Sequence, residues 1–372
     1  MKITRISVFA VELPTKGGAY RRPWGLSPAA YDSTIVKIET DAGVFGLGEI
    51  CPIGTHYMRG WAGAVRSGVP LIAKALIGED PFQVERLNRA WDARFRDDQY
   101  VKAPLDMALW DIIGRASDRP VSEVLGGRYA GAAPLYRSVH VFEENGFSPD
   151  AIAERCRHYR AEGYRHFQLK VGGEPDEDIA MIEAACSELR AGEKVIADAN
   201  CGWTLSSAIR VAQAVRDLPV VIEQPCRTLE ECIAVRPHCG GPVKLDESME
   251  TIQDVLRAFH AGAVDIVCIK VGRVGGLTKA RRMRDLCLDL GLTVCADDVW
   301  GSEIVSSSLA HFAQSTDPKH LINTTDLTDY VTVRTADGFP GRDGGEMTAS
   351  TAPGLGLNLR LDALGAPIAV VD

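Results

Sequence analysis

The stretch 217-DLPVVIEQP-225 is where the fold of this chain is decided. A proline and three apolar residues run straight into Glu223, and Gln224 and Pro225 then stop the run. A buried strand that ends on a carboxylate needs something nearby that uses the charge. Working outward, the same arrangement recurs. Lys170 ends "FQLK", Asp198 ends "VIAD", Asp246 ends "VKLD", Lys270 ends "VCIK" and Asp297 ends "VCAD". From Lys170 to Asp297 the steps are 28, 25, 23, 24 and 27 residues. Each step is the length of one βα unit, and amphipathic helical patterns such as "LSSAIRVAQAVRDL" and "TIQDVLRAFHAG" fill the intervals. With "PLYRSVHV" before and "HLINTTD" after, eight strands alternate with helices, which predicts a parallel (β/α) barrel. The rival is a doubly wound open sheet, but no Gly-x-Gly-x-x-Gly opens a helix after a strand.

The N-terminal part has a different texture. "KITRISVFAVEL" alternates like a strand, and "STIVKIETDAGVFGLGEI" reads as two strands around a turn at Asp41-Ala42-Gly43. Helical patterns follow in "AGAVRSGVPLIAKALIG", "PFQVERLNRAWDARF" and "APLDMALWDIIGRASDRP". The tail "TAPGLGLNLRLDALGAPIAVVD" does not continue the barrel and is expected to return to the N-terminal part. The expected organisation is an α+β capping domain over 1–130, a barrel over 131–345 and a returning segment over 346–372.

Bulk properties narrow the function. The chain has 372 residues, 46% hydrophobic and 24% charged, ample for a large core. A net charge of −9 argues against a nucleic-acid footprint. No apolar run has the length of a membrane span, and the N-terminus has no signal-peptide pattern. Ten cysteines without a Cys-x-x-Cys pair read as reduced thiols in a cytoplasm.

Parallel strands put their C-terminal ends on one face, so the six ionisable ends are expected at one mouth. Asp198, Glu223 and Asp246 would repel one another in a partly dry pocket unless a cation holds them. An all-oxygen set without Cys or His suits Mg²⁺, or Mn²⁺. Lys170 and Lys270, on the second and sixth strands, would flank a ligand from opposite sides. Burial and nearby positive charge depress a lysine towards use as a base. His56, His140 and His166 read as loop or packing residues, and Cys201 and Cys226 as small pocket-lining groups near the mouth.

At these residues the chain resembles the enolase superfamily, and within it the mandelate racemase/muconate lactonising enzyme family. The resemblance runs through residues 41–49 ("DAGVFGLGE"), 104–115 ("PLDMALWDIIGR"), "LKVGG", "ADANCGW", "IEQP", "LDES", "CIKVGRVGGLTKA" and "DDVWGSEI". It implies a modified TIM-type (β/α)7β barrel with a cap. Asp198, Glu223 and Asp246 match metal ligands, and Lys170 and Lys270 match the two bases. Cap loops near Trp24 and Tyr57 would select substrate. Lysine on the sixth strand and Asp297-Asp298 on the seventh imply the two-lysine, muconate-lactonising subgroup. The usual Lys-x-Lys of the second strand is here Gln168-Leu169-Lys170.

"EQPCRTLEE" and "DDVWGSEI" are most similar to members acting on proline derivatives. That implies dehydration of cis-3-hydroxy-L-proline to Δ1-pyrroline-2-carboxylate, with Asp297 or Asp298 on the substrate amine. Epimerisation of proline betaine, 4-hydroxyproline betaine or dipeptides, muconate-type cycloisomerisation and an inactive metal-binding barrel are the alternatives. Trp300 would offer a betaine an aromatic face, whereas the eighth strand offers Thr324 and no aromatic before Tyr330. A small amino-acid substrate and a homo-oligomer are the expected partners, with no nucleic acid or membrane.

Overall fold

The computed structural model describes residues 1–16, 21–22, 25–55, 57, 59–129, 131–139, 148–338 and 340–372. Trp24, His56 and His140 lie outside the described residues.

The cap is an antiparallel sheet with helices on it. Strands β1 (Ile3–Pro14), β2 (Ala30–Thr40) and β3 (Phe45–Ile50) pair in sequence order. The expected tail return is seen at Ala369–Val371, which pairs antiparallel with the free side of β1. Helices α1 (Ala62–Ala73), α2 (Val84–Arg94) and α3 (Gln99–Ala116) follow. α3 is buried over most of its length and lies directly on β3. The glycines of "FGLGE" permit that approach: a Cβ on Gly46 would sit 2.0 Å from the Ala108 carbonyl oxygen, and one on Gly48 1.8 Å from that of Pro104. Asp111 of α3 fastens the contact. Its buried carboxylate accepts from Leu47 N (2.9 Å), Leu355 N (2.7 Å) and Arg115 Nε (3.0 Å).

Eight parallel strands form the barrel, in order Tyr136–Val139, His166–Lys170, Lys194–Asp198, Val220–Glu223, Val243–Leu245, Ile266–Lys270, Thr293–Asp297 and Leu321–Thr324. Each pairs with its neighbour in sequence, and a parallel bridge from Leu135 to Thr324 joins the last strand to the first. Helices cover the seven connections, which gives the (β/α)7β arrangement. Thr228–Glu231 and Thr251–Asp254 capping boxes start two of these helices, Leu229–Val235 and Ile252–His260. Ile196, Val221, Ile266 and Ile322 fill the barrel's lower interior with Cys268 and Cys295.

Cap and barrel meet at Glu49, the penultimate residue of β3, which is fully buried. Oε2 accepts from Ser302 Oγ (2.7 Å), Ser302 N (3.1 Å) and Val305 N (3.3 Å). Oε1 accepts from Ser33 Oγ at 2.8 Å. Ser302 precedes the seventh barrel helix, Glu303–Gln314, so a cap carboxylate sits on that helix's N-terminus. Burial pushes Glu49 up to about 7, against the hydrogen bonds from Ser302, Ser33 and Val305.

Candidate active site

Five of the six strand ends come to one cavity. Lys170, Asp198, Asp246, Lys270 and Asp297 line one cavity at the C-terminal mouth. Glu223 is fully buried and is not among the lining residues.

Cations of the protein accompany each of the three central carboxylates. Lys170 Nζ lies 2.5 Å from Asp198 Oδ2. Lys270 Nζ lies 3.2 Å from Asp246 Oδ2 and 2.7 Å from Asp297 Oδ2. Arg273 Nη2 is 2.8 Å from Asp246 Oδ1. Glu223 Oε1 faces Lys244 Nζ at 2.9 Å, and its Oε2 accepts from Gln168 Nε2 at 2.9 Å. Gln168 thus reaches a carboxylate of the cluster and also accepts from Ser138 Oγ (3.0 Å). Burial pushes Glu223 up to about 7, with the Asp198 charge in the same direction and Lys244 opposing. Burial raises Asp246 too, but Lys270 and Arg273 outweigh it and hold the carboxyl well below the usual range. For Lys270, burial favours the neutral amine, as expected from sequence. Asp246 and Asp297 reverse that and hold its ammonium well above the ordinary lysine value.

Local backbone shape aims these groups. Gln224, just past the fourth strand, has φ +35°, and Asn200 and Cys201 after the third have φ +43° and +65°. Gln224 Oε1 then accepts from Asp246 N (2.8 Å) and Ser248 N (3.3 Å), tying the fourth strand's end to the fifth's. Asn200 N donates to Asp198 Oδ1 (2.9 Å), and its Nδ2 donates to Glu247 Oε1 (3.0 Å). Glu247 is itself buried; burial and the charges of Asp246 and Asp198 push it up to about 8.

The set fits a hard divalent cation. Glu223, Asp246 and Cys268 bring ligand atoms within 4.8 Å of one another; Asp198, expected with them, is not in that group and lines the cavity with Asp246. The thiol departs from the expected all-oxygen set. Burial keeps it protonated far above the usual thiol range, so the carboxylates remain the donors for such an ion. Glu247 Oε2 has no hydrogen-bond partner among the described residues, a further sign of unspent acceptor capacity.

The remaining candidates divide. Tyr57, Asp298 and Trp300 line the cavity, and Tyr57 OH donates to Asp246 Oδ2 at 3.4 Å. Asp298 is held by backbone donors, Gly272 N (2.8 Å) and Val299 N (2.7 Å). Asp297 instead presents its carboxylate to Lys270 and to Tyr136 OH (3.2 Å). Thr324 is buried behind the lining, where its neighbour Thr325 stands. Cys201 and Cys226 are not among the lining residues, and His166 is buried, contacted by Asn323 Nδ2 at 3.2 Å. Sequence reasoning did not find Lys244, Arg273, Glu247 or Tyr136. Lys244 had a signal: it stands two residues before Asp246, on the same inward side of its strand.

Comparison with known proteins follows the same outline. Residues 151–363 match "Enolase C-terminal domain-like", and residues 22–126 match "Mandelate racemase / muconate lactonizing enzyme, N-terminal domain". A cis-3-hydroxy-L-proline dehydratase of Roseibium aggregatum is 42% identical over 369 residues, 99% of each chain. The crystal structure of a mandelate racemase/muconate lactonizing enzyme from Roseovarius nubinhibens superposes with TM-score 0.94 at 42% identity, covering 100% of this chain and 98% of that one. An enolase-superfamily member from the same organism, complexed with magnesium, gives 0.93 at 35% identity over 100% and 99%. No described helix is long and apolar enough to cross a membrane.

Proposed function

Since the chain belongs to the mandelate racemase/muconate lactonising enzyme family of the enolase superfamily, we propose that it is a Mg²⁺-dependent lyase that dehydrates cis-3-hydroxy-L-proline to Δ1-pyrroline-2-carboxylate. The observation that carries this reading is the pair Lys170 and Lys270, lining one cavity from the second and sixth strands with Asp198 and Asp246 between them. Identity of 42% along 99% of the chain with a dehydratase of that substrate supports the choice of reaction.

Asp198, Glu223 and Asp246 would hold the ion, which when bound supplies electrostatic stabilisation to negative charge on a substrate carboxylate. Lys170 takes the α-proton. Its side chain is 20% exposed against 7% for Lys270, and exchange with solvent can reset it after each turnover. Lys270, kept cationic by Asp246 and Asp297, gives a proton to the departing hydroxyl. The Cα–H pair becomes the Cα–Cβ double bond, the Cβ–O pair leaves with oxygen, and water forms. The enamine then moves its N–H proton to Cβ and becomes the cyclic imine. Asp297 accepts a hydrogen bond from the substrate's secondary ammonium. Gln168 replaces a lysine of the usual second-strand motif, and through Ser138 and Glu223 it fixes the floor of the site.

We read the protein as a cytoplasmic homo-oligomer acting on a small amino acid, without nucleic acid. The test is a panel of cis- and trans-3-hydroxyproline, 4-hydroxyproline, proline betaine and dipeptides with Mg²⁺. Imine formation from the cis-3-hydroxy compound is the expected outcome. Inversion of a betaine or dipeptide without imine would replace the dehydratase reading with an epimerase, and inertness throughout would leave a metal-binding barrel.

A further inference from the structure

Two buried polar groups along the cavity have no partner among the described residues: Trp300 Nε1 and Thr325 Oγ1. Both residues line the cavity, and they are 7% and 1% exposed. Trp300 is not merely packing that strayed inward. Its ring is held between Tyr31, at 4.5 Å between centroids, and Tyr330, at 5.7 Å. An indole N–H that is buried, held in place and without an acceptor among the described residues carries an unmet desolvation cost. No described residue supplies an acceptor, which points to the cavity's ligand as the source.

The position says which part of a ligand. Trp300 follows the seventh strand and Thr325 the eighth. In an eight-stranded ring these lie across the mouth from the third, fourth and fifth strands, which carry Asp198, Glu223 and Asp246. A ligand whose carboxylate sits at the acidic side turns its ring towards Trp300 and Thr325. The chemistry says which atom. Indole N–H only donates, so it cannot receive a substrate ammonium and needs an oxygen. In cis-3-hydroxy-L-proline the hydroxyl is on the same ring face as the carboxylate, hence on the face opposite the α-hydrogen. With Lys170 of the second strand facing that hydrogen, the hydroxyl turns to the far wall, where Lys270 and Trp300 stand.

We infer that Trp300 Nε1–H and the Thr325 hydroxyl form the subsite for the departing 3-hydroxyl oxygen. The inference rests on the dehydratase reading and deepens it. Both groups hydrogen-bond that oxygen as the Cβ–O bond breaks, while Lys270 delivers the proton that makes it water. They take no part in binding the carboxylate or the amine.

Trp300→Phe keeps an aromatic ring beside Tyr31 and Tyr330 but removes the donor together with part of the indole's volume, a loss that the Ki for L-proline reads separately; Thr325→Val removes the hydroxyl at constant shape. Two measurements are made on each folded variant with Mg²⁺: kcat/KM for imine formation from cis-3-hydroxy-L-proline, and Ki for L-proline, which lacks the hydroxyl, as a competitive inhibitor. The expected result is a loss of about tenfold or more in kcat/KM for Trp300→Phe, about the worth of one hydrogen bond to a developing charge. A smaller loss is expected for Thr325→Val, with Ki within about twofold of the unaltered protein for both. Equal losses in kcat/KM and Ki would mean general damage to the pocket, and no loss in kcat/KM would mean that the oxygen is held elsewhere; either result overturns the subsite while the dehydratase reading stands. If the unaltered protein makes no imine from this substrate, the dehydratase reading fails first and the subsite falls with it. Should Trp300→Phe fail to fold, Thr325→Val decides by the same two measurements.

Discussion

Glu49→Gln isolates the charge buried between cap and barrel. The substitution keeps the side chain's shape. A glutamine carbonyl oxygen placed where Oε2 lies still accepts from Ser302 N, Ser302 Oγ and Val305 N. The amide nitrogen then falls at Oε1, facing Ser33 Oγ, and that hydroxyl can turn to accept because Ile50 O, 3.3 Å away, takes its proton. Oε1 also accepts from Ser302 N at 3.0 Å; that bond is lost while the one to Oε2 remains, a cost that does not vary with pH. What varies with pH is the ionisation. In the folded protein burial holds the Glu49 carboxyl at about 7, against an ordinary 4.5 in the unfolded chain. Between those values the native state binds the extra proton. This group's contribution to stability is therefore fully present below about pH 4.5 and lost as pH rises through 7. At about 1.36 kcal/mol for each tenfold change in proton affinity, the whole window is worth about 3 kcal/mol. Glutamine has no such dependence. Urea unfolding of both proteins in matched buffers from about pH 5 to about pH 8 gives the difference, in which every other titration common to the two cancels. The variant should gain on the unaltered protein by about 2–3 kcal/mol as pH rises. A difference that stays flat with pH, or one that moves the other way, would show that the four donors outweigh burial and keep the carboxylate charged throughout.

Lys170→Ala should abolish imine formation from an L-configured substrate while calorimetric Mg²⁺ affinity stays within a few-fold, because the ammonium pairs with Asp198 and is not itself a ligand; retained turnover would remove Lys170 from the base role. Exhaustive chelation should stop turnover, and Mg²⁺ or Mn²⁺ should restore it; activity surviving chelation would count against the role given to the carboxylates. Asp111→Ala leaves Leu47 N and Leu355 N without their acceptor in a buried seam. About 3–5 kcal/mol of stability should be lost in chemical denaturation; a loss below about 1 kcal/mol would mean that water enters and replaces the carboxylate.

The barrel was legible because its unit length is fixed by geometry. A strand, a helix and two turns recur, and an ionisable residue marks nearly every strand end. The tail's return to β1 was legible from its break with that rhythm. The helix Leu229–Val235 was harder, being only two turns long, although "TLEE" carries its capping box. At the site, Lys170, Asp198, Asp246, Lys270 and Asp297 stood out because they terminate strands. Lys244 did not, since a lysine inside "PVKLDE" looks like an interruption of a strand; only closure of the barrel brings it to Glu223. Glu247 and Arg273 are likewise placed by backbone turns after the strands. The Tyr31–Trp300–Tyr330 contact joins three distant segments, and no local pattern announces it. Asp297 and Asp298 could not be told apart in sequence. One faces Lys270 and the other is spent on backbone amides.

The pairing of Ala369–Val371 with β1 has a bearing on biosynthesis. Ile6 finds its partner Val371 only after the whole barrel between them has been made. Until then β1 presents an open edge, with Ile6 and Val8 among the apolar residues it will bury, and an emerging chain can join such an edge to that of a neighbour. A contact this distant in sequence also forms late and at a high entropic cost. The cap is thus encoded first and completed last, so substitutions in residues 369–371 should reduce the yield of correctly assembled protein more than the activity of molecules that do assemble.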